Sequence, residues 1–260
     1  LHRLIRRQRQ MCIRDRYWCG FFVQAPWRTY VNYNDPRLIE KYYSQMKEWF
    51  KYVDKYTVDG LLKRWPDTKY RDWYLGDWLA PMGVDAGNQA SVDLVSNCFI
   101  SECLSTMYKT ALTLGNKEEA EEFAIRKEKL NKLIHQTFYR ADEGIYSTGS
   151  QLDMCYPMLV GVVPDSLYNK VKENVVMMTE EKHKGHIAVG LVGVPILTEW
   201  AVRNKQVDFF YQMMKKRDYP GYLYMIDRGA TATWEYWSGE RSRVPVSYTH
   251  LRAHETRSNL

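Results

Sequence analysis

Apolar residues in this chain recur mostly at steps of three and four, the spacing of one face of a helix, and seldom alternate as in a strand. From 38 to 56 the positions Leu38, Tyr42, Met46, Trp49, Phe50 and Val53 follow that period. Asp35-Pro36 precedes them, with Asp35 suited to the N-cap and Pro36 to the first helical position. Asp59-Gly60 ends the segment. A second helix is predicted over 92–114, with Gly115-Asn116 as its stop. A third, over 117–139, is rich in Glu and Lys and reads as a solvated face with i,i+4 pairs. Asp165-Ser166 caps a further helix ending near Met178. Two more are expected over 197–204 and 206–217.

Between these helices lie aromatic or Gly-rich connections: 61–88, 146–151, 185–193 and 219–239. Long ordered loops in compact domains usually carry function. Helix pairs have an apolar seam and short outer turns, so stacking them in a ring gathers the other loops at one end. The fold class expected is all-α, an incomplete α/α toroid of antiparallel helix pairs. An irregular all-α domain is the plainer alternative.

The charge pattern changes the picture at both ends. Residues 1–16 hold six Arg and one Asp, and 246–260 add a net charge of +1. Together they account for the whole formal charge of +6, leaving 17–245 neutral. Both ends resemble translated adapter DNA from sequencing libraries, so the domain is expected to be 17–245, flanked by non-native segments 1–16 and 246–260. With a neutral body, no electrostatic footprint for nucleic acid remains. No run of 18 apolar residues suggests a membrane span. Cys19, Cys98, Cys103 and Cys155 show no metal or disulfide spacing and are expected to be buried free thiols. Compartment and oligomeric state leave no trace in this sequence.

Nine Trp and twenty Tyr supply flat rings that suit sugar C–H faces as well as ordinary cores. The most specific segment is Asp227-Arg228-Gly229-Ala230-Thr231-Ala232-Thr233-Trp234-Glu235-Tyr236-Trp237. A carboxylate among apolar rings can act as a general base on water, or merely accept backbone hydrogen bonds. In Gly76-Asp77-Trp78-Leu79-Ala80-Pro81, Asp77 is a candidate acceptor for sugar hydroxyls and Trp78 a stacking face; an Asx-turn with a core Trp is the alternative. Tyr146-Ser147-Thr148-Gly149-Ser150-Gln151 either caps a helix or offers amides to a ligand. His183 and His186 stand at i,i+3, but no third ligand lies close in sequence. No metal site is expected, and His186 is read as a hydrogen-bonded cleft or core residue.

These segments, with Gly185-His186-Ile187-Ala188-Val189-Gly190, occur in the order found in bacterial α-L-rhamnosidases of glycoside hydrolase family 78, which residues 17–245 resemble. The resemblance implies an (α/α)6 barrel, hydrolysis of terminal α-L-rhamnose with inversion, and no cofactor. Its substrates would be rhamnose-containing glycosides or polysaccharides. Glu235 matches the family's general base. Asp77 and Trp78 match a loop near the sugar, and Trp234, Trp237, Tyr224 and His186 are weaker candidates for substrate contact. Two departures matter. The family's general acid, in an Asp-x-x-x-Arg-x-Glu segment followed by Gly-Trp-x-Gly-Asp, is not found here and is expected upstream of Tyr17. The family's sugar-contacting His after the base segment is missing too, and His250 is not its equivalent. The chain by itself is therefore expected to be inactive or nearly so. The rival readings are another α/α-toroid glycoside hydrolase and a non-catalytic carbohydrate-binding helical domain.

Overall fold

In the computed structural model, which describes residues 20–64, 74–81 and 87–239, helices joined by turns dominate. The expectations for the two end segments and for Cys19 concern residues outside this set, as do 65–73 and 82–86 of the 61–88 connection. The chain divides into two compact units, one formed by Leu1–Gly76, Gly87–Ser147 and Val160–Pro164, the other by Asp77–Ala86, Thr148–Leu159 and Asp165–Leu260.

The first unit holds α1 (Phe21–Tyr33), α2 (Arg37–Asp54), α3 (Gln89–Thr113) and α4 (Lys117–Phe138). It also holds two small hairpins, β1 (Thr57–Val58) with β2 (Leu61–Leu62), and β3 (Tyr139–Arg140) with β4 (Ile145–Tyr146). Helix α1 contains Pro26 and ends at Asn34 in the left-handed conformation, whose N–H reaches Tyr30 O at 2.7 Å. Asn tolerates that backbone better than most residues. Asp35 and Pro36 do open α2, one position off the expected register. Pro36 is the N-cap, and Asp35 Oδ1 accepts the Arg37 N–H at 3.1 Å.

The buried stripe of α2 is Ile39, Tyr43, Met46, Phe50 and Val53. Leu38 is exposed and Tyr42 half-buried, its ring edge-on to Phe22 of α1. Two adjacent stripes in this stretch satisfy the helical period, and packing against neighbouring helices selects between them.

Helix α3 is buried on nearly every side, polar positions included, and packs along the length of α4. Its polar side chains are used as connectors. Asn97 Oδ1 accepts the Leu62 N–H at 2.8 Å while its amide donates to Leu62 O at 3.0 Å, so one side chain holds β2 as a strand neighbour would. From α4, Asn131 accepts the Ser101 hydroxyl at 2.5 Å and donates to Val160 O and Gly161 O. Buried polar groups are tolerated when paired in this way. The predicted stop at Gly115-Asn116 is present: Gly115 has φ +80° and the Asn116 N–H returns to Ala111 O at 2.8 Å. Residues 61–62, expected in a loop, form β2 because Asp59 and Gly60 both take positive φ, the backbone of a tight hairpin turn.

The second unit holds α5 (Gln151–Val160) but for its last residue, α6 (Asp165–His183), α7 (Gly193–Arg203), α8 (Val207–Met214) and α9 (Tyr222–Asp227). Helix α6 runs five residues beyond its expected end at Met178, and α7 starts four before its expected start at Leu197. Helices α7 and α8 pack on each other. Trp200 of α7 is fully buried, with its indole N–H on Met158 Sδ at 3.1 Å. Cys98, Cys103 and Cys155 are buried free thiols. Burial pushes Cys103 and Cys155 well above the ordinary thiol range. At Cys155 burial acts alone, whereas Cys103 also feels the charge of Glu102.

Candidate active site

The site is built on the extended segment between α6 and α7. Gln151, at the start of α5 and 2% exposed, fixes the near end of that segment. Its amide donates to His186 O at 2.9 Å and to Thr179 Oγ1 at 3.0 Å, and its Oε1 accepts the Ala188 N–H at 2.7 Å. A side-chain amide used in this way replaces the missing neighbour of an edge strand. The preceding turn is tied down locally: Asp153 Oδ2 accepts the N–H and hydroxyl of Thr148, and the Asp153 N–H donates to Ser150 Oγ. Thr148 and Ser150 of the 146–151 segment therefore cap α5, the first of the two readings open to that motif.

The far end of the segment meets the loop that carries Asp77. Asp77 Oδ1 accepts N–H donors from Trp78 at 2.9 Å, Val192 at 3.1 Å and Gly193 at 3.0 Å, and Oδ2 accepts from Gly190 at 2.6 Å. Burial raises the Asp77 carboxyl above its ordinary range, against the opposing pull of these four donors. The approach is close enough to require glycine. A Cβ on Gly190 would meet Trp78 O at 2.0 Å, and one on Gly193 would meet Val189 Cβ at 2.5 Å.

Trp78, next in sequence, donates its indole N–H to Glu235 Oε1 at 3.3 Å. The other carboxylate oxygen of Glu235 is buried and has no hydrogen-bond partner among the described residues. Glu235 as a whole is only half-buried. One oxygen is thus held by a donor while the second has no hydrogen-bond partner among the described residues. An orphaned buried acceptor calls for a partner, and a carboxylate whose partner is water is a general-base candidate.

The remaining predicted residues fall into two groups. Trp237 is 6% exposed, its indole N–H is given to Val189 O at 2.9 Å, and its ring tilts against Tyr222. It braces the same extended segment from the core rather than presenting a face to a ligand. Trp234 is half-buried and its ring lies where a Cβ on Gly239 would be, 2.2 Å away. His186 is buried, with Nδ1 donating to Pro220 O at 2.8 Å and Nε2 facing Asp218 Oδ2 at 3.2 Å. Tyr224 is edge-on to Tyr219 and lies beneath the Arg228 guanidinium, 4.3 Å from the ring centroid. The structure therefore brings together Asp77, Trp78 and Glu235, with Trp237 behind them, while His186 and Tyr224 engage the 218–228 stretch. Among the described residues no group of three His, Cys, Asp or Glu side chains could hold a metal ion.

Sequence reasoning gave Gln151, Gly190 and Gly193 no individual role in the site. Gln151 and Gly190 were visible only as members of the 146–151 and 185–190 segments, and Gly193 only as part of a Gly-rich connection. Their partners in the site lie 28 or more residues away along the chain, beyond any local pattern.

Residues 8–258 match the model of the bacterial alpha-L-rhamnosidase 6 hairpin glycosidase domain, a span that runs into both end segments set apart above. An alpha-L-rhamnosidase of Alteromonas sp. (strain LOR) is 26% identical over 228 residues, which cover 85% of this chain and 24% of that protein. The crystal structure of Streptomyces avermitilis alpha-L-rhamnosidase complexed with L-rhamnose superposes with a TM-score of 0.72 at 22% identity, covering 85% of this chain and 20% of the other. The alpha-L-rhamnosidase from Dictyoglumus thermophilum superposes with a TM-score of 0.76 at 22% identity, covering 86% and 24%. These likenesses bear out the all-α toroid expected from the helix pairs and the six-hairpin form implied by the resemblance. The chain spans about a fifth to a quarter of the length of the curated relatives it matches.

Proposed function

Because the chain belongs to the bacterial alpha-L-rhamnosidase six-hairpin glycosidase family, we propose that it supplies the water-activating side of an α-L-rhamnosidase active site. Glu235 is the general base. Its Oε2 accepts a proton from water as the water oxygen attacks the anomeric carbon on the face opposite the aglycone. The bond from that carbon to the departing oxygen breaks as a second carboxylic acid protonates the oxygen. Inversion needs the two carboxyl groups roughly 6.5–9.5 Å apart, so that water fits between base and sugar. The Asp-x-x-x-Arg-x-Glu segment that supplies this acid in the family does not occur in this sequence. Trp78 orients the base through Oε1.

The single observation that carries this reading is the asymmetry of Glu235, one oxygen held by Trp78 and the other buried without a hydrogen-bond partner among the described residues. The substrates are terminal α-L-rhamnosides of glycosides or polysaccharides. Nucleic acid is not among the partners, since the net positive charge resides in residues 1–16 and 246–260. Among the described residues no helix is long and apolar enough to cross a membrane.

The test is a proton NMR time course of an aryl α-L-rhamnoside with the complete protein that carries this chain. β-L-Rhamnose appearing first supports the reading, and α-L-rhamnose appearing first, or no hydrolysis, overturns it. The 260-residue chain alone is expected to be slower by about 10²–10⁴, the usual contribution of one acid/base partner.

A further inference from the structure

We propose that Asp77 is a positioning residue: its carboxylate clamps residues 190–193 to the Trp78 loop and thereby sets where the Trp78 indole delivers its hydrogen bond to Glu235. The kinetic consequence of this proposal rests on the reading of Glu235 as the base, whereas the clamp itself does not.

The resemblance pointed to Asp77 as a residue near the sugar. The geometry points elsewhere. Each carboxylate oxygen has about two acceptor positions; three backbone N–H groups crowd Oδ1 and a fourth takes one position on Oδ2, at 2.6–3.1 Å. Both oxygens are thus engaged by backbone N–H groups of the two segments they join. Two of the four donors, Val192 and Gly193, stand at the N-terminal end of α7, where helical N–H groups lack partners within the helix and favour a negative charge.

Trp78 is consequently held at three points. Its N–H donates to Asp77, its carbonyl accepts the Leu191 N–H at 2.8 Å, and its indole N–H reaches Glu235. The first two fix the backbone from which the indole projects. The missing Cβ atoms of Gly190 and Gly193 let the two backbones come this close. Without the carboxylate, four N–H groups lose their acceptor, the loop separates from the segment, and the indole no longer points at Oε1. A displacement on the order of 1 Å at a catalytic group can cost about 10²-fold in rate.

Asp77→Asn is the conservative probe. The amide oxygen can keep the three donors on the Oδ1 side, but its NH2 then faces the Gly190 N–H, donor against donor. The readout on the 260-residue chain is the ¹⁵N–¹H spectrum of its tryptophan indoles. Trp78→Phe identifies the Trp78 signal, and Glu235→Ala marks where it goes when the acceptor is gone. Asp77→Asn is expected to move the Trp78 signal toward the Glu235→Ala position while the buried Trp200 signal stays in place. A Trp78 signal that does not move while Trp200 is intact overturns the clamp. If Asp77→Asn loses the Trp200 signal, the wild-type chain decides. Hydrogen exchange should then give the Trp78 indole and the Gly190, Val192 and Gly193 amides protection factors within about tenfold of each other, as parts of one opening unit. An unprotected indole beside protected amides overturns the proposal.

In the complete protein, Asp77→Asn should lower kcat on the order of 10–100-fold with KM within about twofold. A raised KM at unchanged kcat would make Asp77 a sugar ligand after all. If the wild-type protein does not hydrolyse rhamnosides, the functional reading fails while the indole result stands on its own.

Discussion

The carbonyl oxygen of Trp78 occupies space that a Cβ on Gly190 would need, at only 2.0 Å. The two segments meet there as bare backbone, bridged by the Leu191 N–H on Trp78 O and the Gly190 N–H on Asp77 Oδ2. The contact sets the distance between the loop that carries Trp78 and the segment that Trp237 braces from behind.

Gly190→Ala should therefore be costly despite the small size of the change. The added methyl faces backbone, which cannot swing aside as a flexible side chain would. Overpacking of this kind costs about 1–3 kcal/mol or more. Urea unfolding of the chain measures it, and a midpoint equal to that of the wild type would mean that the close approach is not real.

Gln151→Leu keeps the volume but removes the bonds to His186 O, Ala188 N and Thr179 Oγ1. Each buried group left without a partner costs about 1–3 kcal/mol, so a loss of about 2–5 kcal/mol is expected. Hydrogen exchange should show the Ala188 amide losing protection first. If it keeps its protection, some other group holds the segment.

Acid should weaken the fold through two histidines. Burial lowers His135 below its ordinary 6.5, and burial together with Lys182 lowers His183 in the same direction. The folded state thus prefers both rings neutral. Their contribution to stability is present above 6.5 and is lost as pH falls through the folded values below it. Urea midpoints are expected to be level from about pH 8 to 7 and to drop as the pH is lowered further. His135→Gln, whose amide can still meet the Tyr146 hydroxyl now 2.7 Å from Nδ1, should make that drop shallower. An unchanged slope would contradict the assignment to His135.

Local pattern carried the helices further than it carried the site. The turn at Gly115-Asn116 and the start of α2 at Asp35-Pro36 were legible because capping chemistry acts within a few residues. Helix α1 was not read, since Pro26 interrupts its pattern and its neighbours offer no clear stripe. The stripe of α2 was read one step aside in its first turn because Leu38 and Ile39 are equally apolar, and only packing tells them apart. For the site, Glu235 and Trp78 were legible as residue types in unusual surroundings. Their pairing was not, because 157 positions separate them. A carboxylate such as Asp77 and an indole such as Trp237 look alike in sequence whether they face a sugar or a backbone. What separates the two roles is the set of N–H donors around Asp77 and the carbonyl of Val189 under Trp237.

Whether Glu235 activates water is decided by the substitution Glu235→Gln. It keeps the size of the side chain and an oxygen for the Trp78 indole while removing the basic carboxylate. The complete protein should bind an aryl α-L-rhamnoside with nearly unchanged KM and lose about 10²–10⁴ in kcat. A variant that keeps kcat within about threefold of the wild type, or loses activity through KM alone, would rule out a base at Glu235.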